Sequence, residues 1–147
     1  MNKSKIEIGI LGGSFDPAHK GHLAISKEAR KRFKLKKIIW AITKKNPLKA
    51  VSKTPVSKRI KDCKKLIGSN TFIKVKFYED TINSNKTIDL INFLKKNKKL
   101  EIFFLMGADN LISFHKWHKS KLITEKCNII VFDRHGYKKN SLKSKTF

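Results

Sequence analysis

Ile6-Glu7-Ile8-Gly9-Ile10-Leu11-Gly12-Gly13-Ser14-Phe15-Asp16-Pro17-Ala18-His19-Lys20-Gly21-His22 is the stretch on which the reading of this chain turns. Ile6 to Leu11 is a short apolar run and predicts a buried strand, while His22 to Phe33 carries its apolar residues at helical spacing. A strand, a tight glycine turn at Gly12-Gly13 and a helix start together make a phosphate site. Glycines let backbone approach a ligand with no Cβ in the way, and the first free amides and the positive dipole end of a helix favour an anion. His19 and His22, three residues apart, fall on one side of the first helical turn and can aim imidazole N–H groups at one phosphate. The alternative, ordinary surface histidines beside a plain turn, fits one histidine well and the whole spaced pattern poorly.

Working outward, apolar runs alternate with helical patterns along the chain. Strands are expected at Ile6–Leu11, Lys37–Ile42, Phe72–Phe77, Ile102–Met106 and Asn128–Phe132, and helices at His22–Phe33, Pro55–Ile67, Thr87–Lys96 and Asn110–His115, with a short turn near Ser120–Glu125. The strands are continuous apolar runs, as expected when helices cover both faces. That makes an α/β, doubly wound, five-stranded parallel sheet. Ligands of such sheets sit outside the carboxyl ends of the strands, where strand order reverses, so the residues just after strands are the informative ones.

Length and composition set the limits. At 147 residues the chain fits one domain. No stretch approaches the roughly 18 uninterrupted apolar residues of a membrane span, and no signal-peptide core is present, which predicts a cytoplasmic protein. Cys63 and Cys127 lack metal or redox spacing and read as buried or incidental thiols. The net charge of +24 invites a nucleic-acid reading. Against it, 31 of the 35 basic residues are Lys, scattered through nearly every segment beside many Ile and Asn, whereas base reading and bidentate phosphate clamps lean on Arg. Nucleic acid is therefore not the expected partner, although the field draws in ATP and other anions. A homo-oligomer remains open.

After the second strand, Lys44, Asn46 and Lys49 lie in a basic loop and are candidates for phosphate contacts, with a solvated lysine loop as the plain alternative. Thr54 reads as an N-cap with Pro55 at the first helical position. Val56, Ile60, Cys63 and Ile67 then trace a buried stripe, so that helix reads as scaffold. Thr87 starts the next helix and is a cap candidate. Gly107 permits close approach of a ligand, and Asp109 is placed either to accept from ribose hydroxyls or to cap a helix. Arg134, one of four arginines, follows the last strand and suits a phosphate, a carboxylate or a structural salt bridge.

The G-G-S-F-D-P-x-H-x-G-H stretch resembles the signature of the H-x-G-H nucleotidyltransferase superfamily, whose fold is Rossmann-like. Gly107-Ala108-Asp109-Asn110-Leu111 continuing to Phe114-His115-Lys116-Trp117 is similar to the G-A-D-N-L-x-x-F-H-x-W segment of nicotinate-nucleotide adenylyltransferases. The resemblance covers residues 6 to about 137, taken as the nucleotidyltransferase domain (1–137), and leaves 138–147 as a Lys/Ser-rich tail.

The activity it implies is transfer of the adenylyl group of ATP to nicotinate mononucleotide, giving deamido-NAD and pyrophosphate in NAD biosynthesis, with Mg²⁺ arriving on ATP and no protein-held metal. It implies His19 and His22 as the catalytic pair and Gly12, Gly13, Ser14, Phe15, Gly107 and Asp109 around ATP and its phosphates. Asn46, Lys49, Thr87, Trp117 and Arg134 would lie around the mononucleotide, Trp117 stacking on the pyridine ring.

Departures exist. Lys86 stands where the family has Tyr, Ser120 where it has a second Trp, and His135 where it has Pro. Its C-terminal S-S-T-x-I-R type motif, which grips the β and γ phosphates, has no counterpart, so the C-terminal part of the family fold is expected to be missing or lysines to take its place. The alternatives are another H-x-G-H transferase, such as phosphopantetheine adenylyltransferase, or a non-catalytic nucleotide-binding remnant.

Overall fold

Strands β1 (Ile6–Gly13), β2 (Lys37–Ile42), β3 (Ile73–Lys76), β4 (Leu100–Gly107) and β5 (Asn128–Phe132) pair in parallel in the order β3-β2-β1-β4-β5. The computed structural model describes residues 5–44, 54–108 and 113–132. The crossovers are α1 (Lys20–Phe33), α2 (Val56–Ile67), the short α3 (Glu79–Ile82), α4 (Thr87–Leu94) and α5 (Ser120–Lys126). This is the doubly wound sheet expected from the alternation of apolar runs.

Each face has its own core. On one, Leu11, Ile38, Trp40, Ile42, Ile130 and Phe132 pack with Ala29 of α1 and Cys63 and Ile67 of α2. On the other, Ile8, Ile10, Ile102, Phe104 and Ile129 pack with Ile88 and Ile91 of α4 and Ile123 of α5. Alternate residues of β1, β2, β4 and β5 thus enter different cores, which is why these strands read as unbroken apolar runs. Helices α1 and α2 cover one face and α4 and α5 the other, so strand order reverses between β1 and β4.

Several expectations are corrected in detail. Gly12 and Gly13 make no turn; they extend β1, paired with Ala41 and Ile42 of β2. The N-cap of α2 is Pro55, one residue later than expected, because the Thr54 carbonyl is engaged by a side chain described below. Glu79–Ile82, after Tyr78, form the short α3, which is not predicted from the sequence. Thr87 is the first residue of α4, whose N-cap, Lys86, has its amide N–H taken by Ser84 Oγ at 3.0 Å. The expected helix Asn110–His115 falls partly, and the tail 138–147 wholly, outside the described residues. No helix among the described residues is long and apolar enough to cross a membrane.

Candidate active site at the strand-order switch

β1 and β4 pair from Ile6↔Leu100 to Leu11↔Leu105 and no further. Both strands continue, Gly12 and Gly13 held by β2, and Met106 and Gly107 held by β5. Each strand follows its outer neighbour, so the two part at the switch point with glycine at both strand ends, the place where doubly wound sheets form a ligand crevice. A Cβ built on Gly12 would come no nearer than 3.8 Å to the described residues, at the tip of Phe104, and one on Gly13 no nearer than 3.6 Å, at Phe15. Neither glycine has a positive φ. Packing among the described residues therefore does not require glycine at either position.

The chain turns at Phe15, not at the glycines. Phe15 has φ 51, and the Asp16–Pro17 bond that follows is cis. A left-handed backbone costs a bulky residue about 1–2 kcal/mol, and burial of a Phe ring returns about 1.5–3 kcal/mol. The ring is 2% exposed, stacked on Trp40 at 5.1 Å and packed on His22 at 4.5 Å. Trp40 is fixed in turn. Its Nε1–H donates to the buried Ser26 Oγ at 2.8 Å, and that hydroxyl donates to the His22 carbonyl at 2.8 Å.

His19 and His22 build a reciprocal cap on α1. The Gly21 N–H donates to His19 Nδ1 and the His19 N–H to His22 Nδ1, both at 3.1 Å. An amide N–H pointing at Nδ1 requires that atom to be unprotonated, so each neutral ring carries its proton on Nε2. The rings lie 4.0 Å apart, tilted by 31°. The helix therefore does not offer the Gly21 amide to a phosphate, as its sequence suggested; it spends that amide on orienting an imidazole, and the ring donors left over are two Nε2–H groups.

Burial, and next the neighbouring His19, hold the His22 imidazole at a pKa of about 4, below the ordinary 6.5. Ring-nitrogen NMR is expected to show His22 neutral and Nε2-protonated down to near that value; a titration midpoint above 6 would contradict the cap geometry. Between pH 6.5 and 4 the unfolded state binds the extra proton, so this group contributes stability at neutral pH that is lost as pH falls through that window. His22→Gln is expected to flatten that part of the melting-temperature profile.

Behind the turn lies a side chain of the scaffold helix α2 not singled out from the sequence. Arg59 of α2 is 2% exposed. Its Nη1 donates to the carbonyls of Ser14 at 2.9 Å and Thr43 at 2.8 Å, Nη2 to that of Lys44 at 3.0 Å, and Nε to that of Thr54 at 2.9 Å. From the opposite side Glu79 accepts from the Thr43 hydroxyl at 2.5 Å and the Lys44 amide at 2.9 Å. The Thr43 amide donates to the Gly13 carbonyl at 2.9 Å. The carboxyl ends of β1 and β2 are thus tied into one unit. The only sequence signal for Arg59 was its position on the α2 stripe, three residues after Val56 and four before Cys63.

The remaining candidates are distributed as follows. Ser14 and Phe15 lie at the turn, and Gly107 on the far bank. Trp117 sits on the other face, half-buried, its ring edge-on to Phe104 at 5.9 Å and against Phe114 at 5.1 Å. Phe104 stands between Trp117 and Gly12, so these three follow one another toward the crevice. Thr87 opens α4, whose helix covers that same face. Lys44 extends its ammonium to Asp80 at 3.2 Å, both exposed. Asn46, Lys49, Asp109 and Arg134 lie outside the described residues.

Both cysteines are free and buried, their thiols pushed up to about 11 for Cys63 and about 12 for Cys127, in each case mainly by burial. Concavities of about 380 Å³ beside β3 and about 300 Å³ below β4 and β5 contain neither histidine.

The family described as cytidylyltransferase-like matches residues 10–146. A probable nicotinate-nucleotide adenylyltransferase of Pelagibacter ubique is 67% identical over 147 residues, which span all of this chain and 82% of the relative. One from Agrobacterium fabrum is 38% identical over 131 residues, 88% of this chain and 70% of the relative. Among solved structures, a nicotinic acid mononucleotide adenylyltransferase of Plasmodium falciparum complexed with NaAD superposes with a TM-score of 0.75 at 20% identity, over 89% of this chain and 66% of that one. A nicotinate-nucleotide adenylyltransferase structure from Vibrio parahaemolyticus gives 0.73 at 18% identity, over 86% and 73% of the two chains. Those two structures share the fold, and the two sequence relatives place this chain in the nicotinate-nucleotide adenylyltransferase family.

Proposed function

We propose that the chain joins nicotinate mononucleotide to the AMP portion of ATP, releasing pyrophosphate and forming deamido-NAD, a step of NAD biosynthesis. The observation that supports this reading is the pair of imidazoles whose Nδ1 atoms are consumed by backbone amides, leaving two Nε2–H donors, on rings 4.0 Å apart and tilted by 31°, at the start of the helix that follows β1. Such donors match phosphate oxygens. They match a metal ion poorly, and no group of three or more His, Cys, Asp or Glu side chains among the described residues is arranged to hold one. Mg²⁺ belongs with the triphosphate in this proposal, where it supplies charge neutralisation.

An oxygen of the mononucleotide 5′-phosphate attacks the α-phosphorus of ATP, the bond to the α–β bridging oxygen breaks, and its electron pair leaves with pyrophosphate. No protein nucleophile is needed, so the work of the chain is positioning and charge stabilisation. His19 and His22 donate through Nε2–H to α- and β-phosphate oxygens as negative charge moves onto the leaving group. Gly12, Gly13, Ser14 and Phe15 shape the phosphate path along β1, and Gly107 and Asp109 take the adenosine side. Asn46, Lys49, Thr87 and Arg134 are assigned to the mononucleotide, with Trp117 against its pyridine ring. The net charge of +24 supplies a long-range attraction for both anionic substrates.

Pyrophosphate release is expected with ATP and nicotinate mononucleotide together and with neither alone. Turnover with phosphopantetheine in place of the mononucleotide, or with CTP in place of ATP, would instead favour a different transferase of the superfamily; binding of ATP with no turnover on any pair would indicate a nucleotide-binding remnant. Trp117→Ala is expected to raise the KM for the mononucleotide about tenfold with kcat nearly unchanged, because stacking holds substrate and transition state alike. An unchanged KM would leave Trp117 as a core residue of the Phe104–Phe114 cluster.

A further inference from the structure

Arg59 is a buried cation that uses four of its five N–H groups on described partners, with no described carboxylate in a salt bridge to it. Its partners are four main-chain carbonyls drawn from three separate segments: Ser14 after β1, Thr43 and Lys44 after β2, and Thr54 before α2. A guanidinium keeps its charge in any such site, and its planar fork can satisfy divergent acceptors that an ammonium cannot. Carbonyl dipoles stabilise that charge only in part, so the site behind the Ser14 turn favours an anion on the turn's outer side. The same bonds set the geometry: Ser14 immediately precedes Phe15, whose ring supports His22.

We propose that Arg59 is a positioning residue for adenylyl transfer, holding the turn after β1 in register with the end of β2 so that the imidazole pair and the phosphate path stay aligned, and biasing that turn toward anions with a buried positive charge. This rests on the adenylyltransferase reading above. Arg59 touches no substrate; it acts through the Ser14 carbonyl and the Phe15–His22 contact.

The test compares the wild type with Arg59→Lys, which keeps the charge but cannot reach four divergent carbonyls. At 15 °C, with folding of the variant checked by circular dichroism, kcat is expected to fall at least 30-fold while the KM for nicotinate mononucleotide changes less than threefold. A residue that only stabilises the fold would lower the melting temperature and leave kcat per folded molecule intact, so kcat within threefold of wild type overturns the proposal. Should Arg59→Lys not fold, the wild-type protein decides. The Arg59 guanidinium N–H signals are expected to shift on addition of Mg²⁺-ATP together with those of the His22 ring, and a shift at His22 with Arg59 unmoved overturns the proposal. The nitrogen spectra need only ATP binding, so absence of wild-type turnover counts against the adenylyltransferase reading alone and leaves Arg59 to be judged by them.

Discussion

His22→Ala is expected to lower kcat by about 10²–10³-fold while leaving the affinity for nicotinate mononucleotide within about threefold, as measured by pyrophosphate release and by titration of the mononucleotide alone. The half-buried ring is fixed by the His19 amide at Nδ1 and the Phe15 ring at 4.5 Å, and the backbone that carries it by the Ser26 hydroxyl on the His22 carbonyl. A donor held this way needs no reorganisation when charge moves onto the leaving pyrophosphate, which is the condition under which one hydrogen bond is worth several kcal/mol in a transition state. The same substitution removes a helix cap, at a cost of about 1 kcal/mol.

That second effect has its own control. A glutamate at the third helical position can accept the His19 amide as in an ordinary capping box, so His22→Glu is expected to recover most of the melting temperature lost in His22→Ala. It offers no donor and repels phosphate, so its kcat stays at or below that of His22→Ala. Activity returning along with stability would show that the ring serves the helix and not the reaction.

How much of this was legible beforehand follows from what sequence patterns can encode. The ends of β2 and β5 were read without error because an apolar run bounded by polar residues marks a strand buried on both faces. The glycine pair was misread as a turn because Gly is permissive, and permissiveness does not say which conformation is taken. Parallel pairing with Ala41 and Ile42 kept it extended, and Phe15, a residue with no turn propensity, took the left-handed position because its ring could be buried against Trp40.

Arg59 and Glu79 were missed for a related reason. Apart from the Thr43 hydroxyl, their partners are main-chain groups, most of them distant in sequence, and a main-chain group looks the same in every residue. Trp40 was read only as part of a strand, and its role in supporting Phe15 depends on a ring contact and on Ser26, which no spacing rule connects. The histidine pair was found because its partners are local: a cap closes within three residues, and local geometry is what spacing reports.

Gly12→Ala is expected to weaken ATP binding by at least tenfold while the protein melts at the same temperature or a few degrees higher. Glycine within a strand is less favourable than alanine by about 0.5–1 kcal/mol, and the added methyl would meet Phe104 at an ordinary 3.8 Å, so nothing described in the fold resists it. The methyl would stand on the Phe104 side of the sheet, beside the gap expected where β1 leaves β4 after Leu11. If that gap is where a nucleotide lies against bare backbone, the occupied volume is lost to the ligand, and no side chain can move to restore it because the intruding group is fixed to the strand.

Calorimetric titration with Mg²⁺-ATP alongside a thermal melt reads both quantities on one sample. Stability preserved with affinity lost places the nucleotide against the β1 bank. Stability and affinity both preserved would put it elsewhere, and with it the assignment of Gly12, Gly13 and Ser14 to the phosphate path. The paired outcome is informative because most substitutions that abolish binding also destabilise, and here packing predicts opposite signs for the two.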